Sequence, residues 1–163
     1  MNAEARKIVA TLGLAPLAHE GGYFRQTWRR EASSAIYFLL TQEDFSALHR
    51  LRRADETWHF YAGDTLQHAM LGPGDAVARL TTLGNDVLAG ETPQLLVPAG
   101  VWQGARLAPS GKGAPATAPR AGWALVGCTL APAWDDKDFE LADRAALERE
   151  FPGAAALIRA LTR

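Results

Sequence analysis

The sequence predicts an all-β domain, a sandwich or barrel of many short strands with a short helical segment at each end. Short apolar or alternating runs recur from Tyr23 to Leu130 between turn signals such as Gly63-Asp64, Gly72-Pro73-Gly74-Asp75 and Pro98-Ala99-Gly100. Helix-length patterns between those runs are missing, which argues against a parallel α/β sheet. The 163 residues are 48% hydrophobic and 21% charged, which suits one core of ordinary globular composition across residues 1–163.

The elements follow in order. Ala5, Ile8, Val9 and Leu12 recur at helical spacing, so residues 3–12 read as a helix capped by Asn2 and closed by Gly13. YFRQTWRR, SAIYFLLT, FSALHRL, ETWHFYAG, TLQHAML, AVARLTTL, PQLLVP, WQGARLA and GWALVGCTL read as strands, the barrel core running from about 19 to 132. Residues 109–122, PSGKGAPATAPRAG, lack large apolar side chains to offset their ordering entropy and read as a long, mobile, dispensable loop. From about 142 to 163 the pattern turns helical, with Asp143 as cap, Leu147 and Phe151 as an i, i+4 pair, and a break at Pro152-Gly153.

Seventeen basic and eighteen acidic residues give a net charge of -1, so no global field is available for nucleic acid or an anionic membrane. A single cysteine, Cys128, excludes an internal disulfide framework and a cysteine-rich zinc site. The first residues lack the pattern of a secretory signal, and no apolar run nears the roughly 20 residues of a membrane span. The expectation is a cytoplasmic protein.

Chemistry concentrates in a few residues. His49 and Glu56 stand on successive predicted strands joined by a short connection, and Gln103 follows a Pro-Ala-Gly turn that can aim it at the same place. Imidazole, carboxylate and amide oxygen could form a mixed metal site or hold a polar ligand by hydrogen bonds. Trp58 and Phe60 share the parity of Glu56 and should give it apolar walls, whereas His59 should face away. Tyr23 and Arg25, two apart after Gly21-Gly22, could bring a phenol and a guanidinium to a pocket mouth. Trp102 could close the pocket. Asp138 and Glu140 read as a solvated acidic loop, His68 as a surface residue, and Cys128 as a buried small hydrophobe.

Glu56, six residues and Gly63 resemble the second half of the first cupin motif, with His49 in its first histidine slot and Leu51 in the second. Pro98-Ala99-Gly100-Val101-Trp102-Gln103 resembles the second motif, with Gln in the histidine slot. Longer blocks, HEGGYFRQTW, SALHRLRRADETWHFYAGD and PQLLVPAGVWQGARL among them, closely resemble the cupin-5-like family, a domain of unknown function. The resemblance implies a double-stranded β-helix (a cupin jelly-roll barrel), usually paired as a homodimer, with a pocket inside the barrel. With two ligand slots replaced, it implies at best weak divalent metal binding, through His49, Glu56 and Gln103.

The expected function is binding of a small polar ligand, sugar-like or acidic, in the barrel interior. An isomerase or epimerase would use Glu56 or His49 as base and Tyr23 as acid, with Arg25, Trp58, Phe60, Trp102 and Gln103 as ligand contacts. The alternatives are a non-catalytic sensor or carrier and a weakly metal-dependent oxygenase. The cofactor, if any, is left open.

Overall fold

The computed structural model describes residues 1–109 and 120–163, so the expected mobility of residues 110–119 lies outside the described residues. Helix α1 spans Ala3–Leu12. The strands are β1 (Ala15–Pro16), β2 (Tyr23–Arg30), β3 (Ser33–Thr41), β4 (Ser46–Leu51), β5 (Asp55–Gly63) and β6 (Leu66–Leu71). They continue as β7 (Arg79–Leu83), β8 (Gln94–Val97), β9 (Trp102–Leu107), β10 (Trp123–Ala131) and β11 (Phe139–Leu141). Helices α2 (Arg144–Glu150) and α3 (Ala155–Ala160) follow.

The strands form two antiparallel sheets, a six-stranded one in the order β1-β2-β3-β10-β5-β8 and a five-stranded one in the order β11-β4-β9-β6-β7. After β3 the chain passes back and forth between the sheets, except at the β6–β7 hairpin within the five-stranded one, so most sequence neighbours face each other across the interior. That winding is a double-stranded β-helix. Between the sheets lies the main core, with Phe38, Leu40, Trp58, Phe60, Leu66, Met70 and Val126 buried together. Trp58 and Phe38 meet edge to face at 5.8 Å, the arrangement that ring quadrupoles favour.

Both sheets also carry helices on their outer faces. Leu147, Phe151, Ile158 and Leu161 pack on Leu48, Ala69, Leu71 and Trp102 of the five-stranded sheet. Ala5 and Leu14, with the half-buried Ile8 and Val9, pack on Leu39 and Trp123 of the other. The N-terminal helix starts as the sequence predicts: Asn2 Oδ1 accepts from the Ala5 N–H at 2.9 Å, and Gly13 closes it with φ 62°. Asp143 caps α2 in the same way, accepting from the Ala146 N–H at 2.7 Å. Among the described residues no helix is long and apolar enough to cross a membrane.

Candidate active site

Strand parity decides which side chains meet. On β5, Glu56, Trp58 and Phe60 are buried while Tyr61 and Asp55 are exposed. His49 is buried on β4 and Gln103 on β9, and the two are direct cross-strand partners. His68, buried on β6, sits one strand further along the same sheet. A cavity of about 370 Å³ opens above them. Its polar lining is Glu20, His49, Glu56, Gln26, Ser34, Asp136 and the Cys128 thiol, and its apolar walls include Phe24, Ile36, Phe38, Trp58, Leu130 and Trp134.

Glu20 reaches the cavity from the turn before β2. Gly22 sits there at φ 74°, and a β-carbon on it would lie 2.6 Å from Phe38 Cε2 and 2.9 Å from the Leu39 carbonyl oxygen. The Gly22 N–H donates to Asp44 Oδ2 at 2.8 Å, and the Ala47 N–H donates to the Glu20 carbonyl at 2.8 Å. The carboxyl is thereby carried under β4, where Ser46 Oγ donates to Glu20 Oε1 at 2.8 Å.

His49 lies between two carboxylates. Its Nδ1 is 3.9 Å from Glu20 Oε1 and its Nε2 is 3.9 Å from Glu56 Oε2. Nδ1 also donates to the Ala47 carbonyl at 2.8 Å, and the ring stacks on Phe139 at 5.4 Å. Burial alone would push the imidazole pKa down. Glu20, Glu56 and the Ala47 carbonyl outweigh that and lift it to about 9, so His49 is a cation at neutral pH. Burial pushes the Glu20 carboxyl up; the His49 charge opposes this and Glu56 reinforces it. Burial likewise holds the Cys128 thiol well above its ordinary pKa.

Behind Glu56 the hydrogen bonds have one consistent direction. A carboxylate only accepts, so Gln103 turns its amide nitrogen to Glu56 Oε2, at 2.5 Å. Gln103 Oε1 then accepts from the Trp58 indole N–H at 2.9 Å and from His68 Nε2 at 3.2 Å. His68 must therefore carry its proton on Nε2, and its buried Nδ1 has no hydrogen-bond partner. Burial depresses its pKa to about 4, which keeps it neutral.

This arrangement does not fit the divalent metal that the barrel motifs imply. The oxygen of Gln103 is already occupied by two donors, and Leu51 fills the remaining slot as part of an apolar cluster with Ala54 and Leu130. Among the described residues no group of three or more His, Cys, Asp or Glu side chains could hold a metal ion.

The structure brings His49, Glu56 and Trp58 to the cavity, places Gln103 behind Glu56 and off the cavity lining, and separates four further predicted residues from it. Tyr23 and Arg25 have the opposite parity to Phe24, which lines it. Tyr23 packs toward α1, and the Arg25 guanidinium lies over the Tyr37 ring at 5.4 Å. Trp102 faces the C-terminal helices, with Arg50 over its ring at 4.4 Å. Phe60 is buried in the main core but does not line the cavity. His68, expected at the surface, is fully buried. His59 does face away, bonded to Thr129 and Gln94. Asp138 and Glu140 are engaged with Arg53 and with Arg50 and Arg52. Sequence reasoning missed Glu20, Phe24 and Gln26: the Gly-Gly pair marks a turn after Glu20 but not its direction, and the parity of β2 joins Phe24 to Gln26 without saying which face is inside.

Two sheets wound around an interior with a Glu–His pair at its polar end define a cupin barrel. The chain belongs to the family described as Cupin superfamily (DUF985), Cupin_5, which it matches over residues 6–142. A hypothetical protein from Leishmania major is 34% identical, with a TM-score of 0.84 over 97% of this chain and 98% of that one. A crystal structure of a Shewanella oneidensis protein is 35% identical, with a TM-score of 0.83 over 100% and 98%. An uncharacterized Klebsiella pneumoniae protein with a double-stranded beta-helix domain, 16% identical, shares the fold with a TM-score of 0.53 over 80% and 90%. No curated protein matches the chain.

Proposed function

We propose that the cavity binds a small, neutral, hydroxyl-bearing molecule of sugar-like character and catalyses isomerase-type proton transfer, with Glu56 as base. The observation that carries this reading is Glu56 itself. It is 7% exposed on the cavity wall, held by the Gln103 amide at 2.5 Å and faced by the His49 cation at 3.9 Å. A carboxylate aimed in this way can take a proton from carbon next to a carbonyl. Gln26 and Ser34 offer hydrogen bonds to hydroxyls, and Phe24, Phe38 and Trp58 offer flat apolar surface to the C–H face of a ring. An acidic ligand loses support because Arg25 lies outside the cavity and three carboxyl groups line it. The protein would work as a cytoplasmic homodimer.

The test uses unphosphorylated pentoses and hexoses, both aldoses and ketoses, incubated with the protein in deuterated water. NMR should show solvent deuterium entering the carbon next to the carbonyl. Glu56→Gln should cut that exchange by about 10²–10⁴-fold while leaving the fold intact. Binding without exchange by the wild type would favour a carrier, and neither binding nor exchange would sink the reading.

A further inference from the structure

One end of the cavity is closed by the buried side chains of Glu20, His49 and Glu56. The other is walled by the segment between β10 and β11, where Trp134 is half-buried and Asp136 is exposed, and both line the cavity. We infer that Trp134 and Asp136 form a selectivity subsite at this mouth, which takes the hydroxyl-bearing end of a neutral sugar and turns away a sugar phosphorylated there; this rests on the sugar-binding reading above. With Glu56 at the buried end, the carbons next to the carbonyl lie there and the far end of the sugar reaches the mouth.

The segment is pinned from both sides. The Trp134 N–H donates to Ser34 Oγ at 3.0 Å, and the Trp134 carbonyl accepts from Arg29 Nη2 at 2.8 Å. Further along, Asp135 Oδ2 accepts from Arg53 Nη2 at 3.0 Å and Asp138 Oδ2 from the Ala54 N–H at 3.0 Å. The Trp134 ring meets Phe139 at 5.3 Å, and Phe139 in turn stacks on His49. A ligand therefore meets a wall already in place and does not have to order it.

The side chains at the mouth divide the contacts. The Trp134 indole N–H donates to Asp136 Oδ1 at 2.8 Å. What the indole leaves for a ligand is its ring, a flat apolar surface that suits the C–H face of a sugar. Asp136 Oδ2 has no hydrogen-bond partner among the described residues, and a carboxylate is a strong acceptor that cannot donate. Ser34 Oγ already accepts from Trp134 and keeps its own proton to give. Neighbouring sugar hydroxyls, each both donor and acceptor, match that pair. A phosphate would set acceptor against acceptor and charge against like charge at Asp136. Arg29, which holds the segment, and Lys137, which follows Asp136, do not line the cavity and so offer a phosphate no cation inside it.

The test is calorimetric titration with pentoses and hexoses, with the same sugars lacking the terminal hydroxyl, and with their terminal phosphates. The wild type should bind a parent sugar about 10–100-fold more tightly than either analogue. Asp136→Asn keeps an oxygen for the indole and removes the charge at an exposed position, so it should fold normally and narrow both gaps by about fivefold or more. Trp134→Ala should weaken parent and analogues by a common factor, because it removes a ring contact that all of them share. A wild type that binds a sugar without these preferences overturns the inference alone. An Asp136→Asn protein that keeps the wild-type preferences, or a Trp134→Ala protein with unchanged affinities, does the same. A wild type that binds none of the sugars overturns the sugar-binding reading and the subsite together.

Discussion

His49 is the residue whose charge most depends on its neighbours, and that dependence has a sign. An unfolded imidazole titrates near 6.5 and the native one near 9. Between those values the native state holds a proton that the unfolded chain has released. The contribution of His49 to stability is therefore complete below about pH 6.5 and lost as pH rises through about 9. Glu20, whose native carboxyl also holds its proton above the ordinary value, tilts stability the same way from 4.5 upward. His68, depressed to about 4, tilts it oppositely but only below about 6.5. Calorimetry should show the melting temperature falling between pH 6.5 and 9, and His49→Gln should flatten that fall. A flat wild-type curve over this range would contradict the His49–carboxylate pairing. Glu56 and His49 were visible in the sequence because motif spacing marks them. Glu20 was not, because nothing in the string says that the chain turns under β4 after residue 17.

Among the elements, the turn at 17–22 and the strand β2 after it set the polar end of the cavity. Gly22 allows the turn: it lies at φ 74° with Phe38 and the Leu39 carbonyl closer than a β-carbon tolerates. Gly22→Ala should cost at least about 1–3 kcal/mol from the backbone conformation alone. A denaturant melt with an unchanged midpoint would show that the turn relaxes freely. The parity of β5 could be read from the sequence because Glu56, Trp58 and Phe60 alternate with polar or exposed residues. On β2, Tyr23 and Phe24 are both aromatic, since one packs toward α1 and the other lines the cavity. Alternation then carries no information about which face is inside. Trp102 misled for the same reason: its sheet is covered by helices on its outer face, so a large apolar residue suits either side.

At the scale of the whole molecule, covered outer faces also explain the two-sided apolarity of β3. Leu39 lies under α1, whereas Tyr37 packs edge to face with Tyr61 at 6.1 Å. What remains uncovered on the described surface includes Trp28 at 47%, Tyr61 at 46% and Leu96 at 54% exposure, all on the six-stranded sheet. Pairing of two copies through this sheet would bury them. Light scattering at micromolar concentration should report a dimer, and Tyr61→Lys with Leu96→Lys should shift it to monomer. A wild type that is monomeric throughout would remove this proposal. The barrel itself was legible from the turn-punctuated strand runs and the family blocks, while the winding between sheets required the coordinates.

The occupied oxygen of Gln103 bears on how such a barrel can change over evolutionary time. A histidine at 103 could not receive both donors that now end on the amide oxygen, so the buried indole N–H of Trp58 or the His68 ring would be stranded. A histidine at 51 would have to enter the apolar cluster of Ala54 and Leu130. Each single substitution toward the four-ligand pattern would thus strand a buried donor or place an imidazole among apolar side chains. Leu51 and Gln103 act as a ratchet: with the indole and the imidazole both resting on the amide, installing a full ligand set requires several coordinated changes and not one.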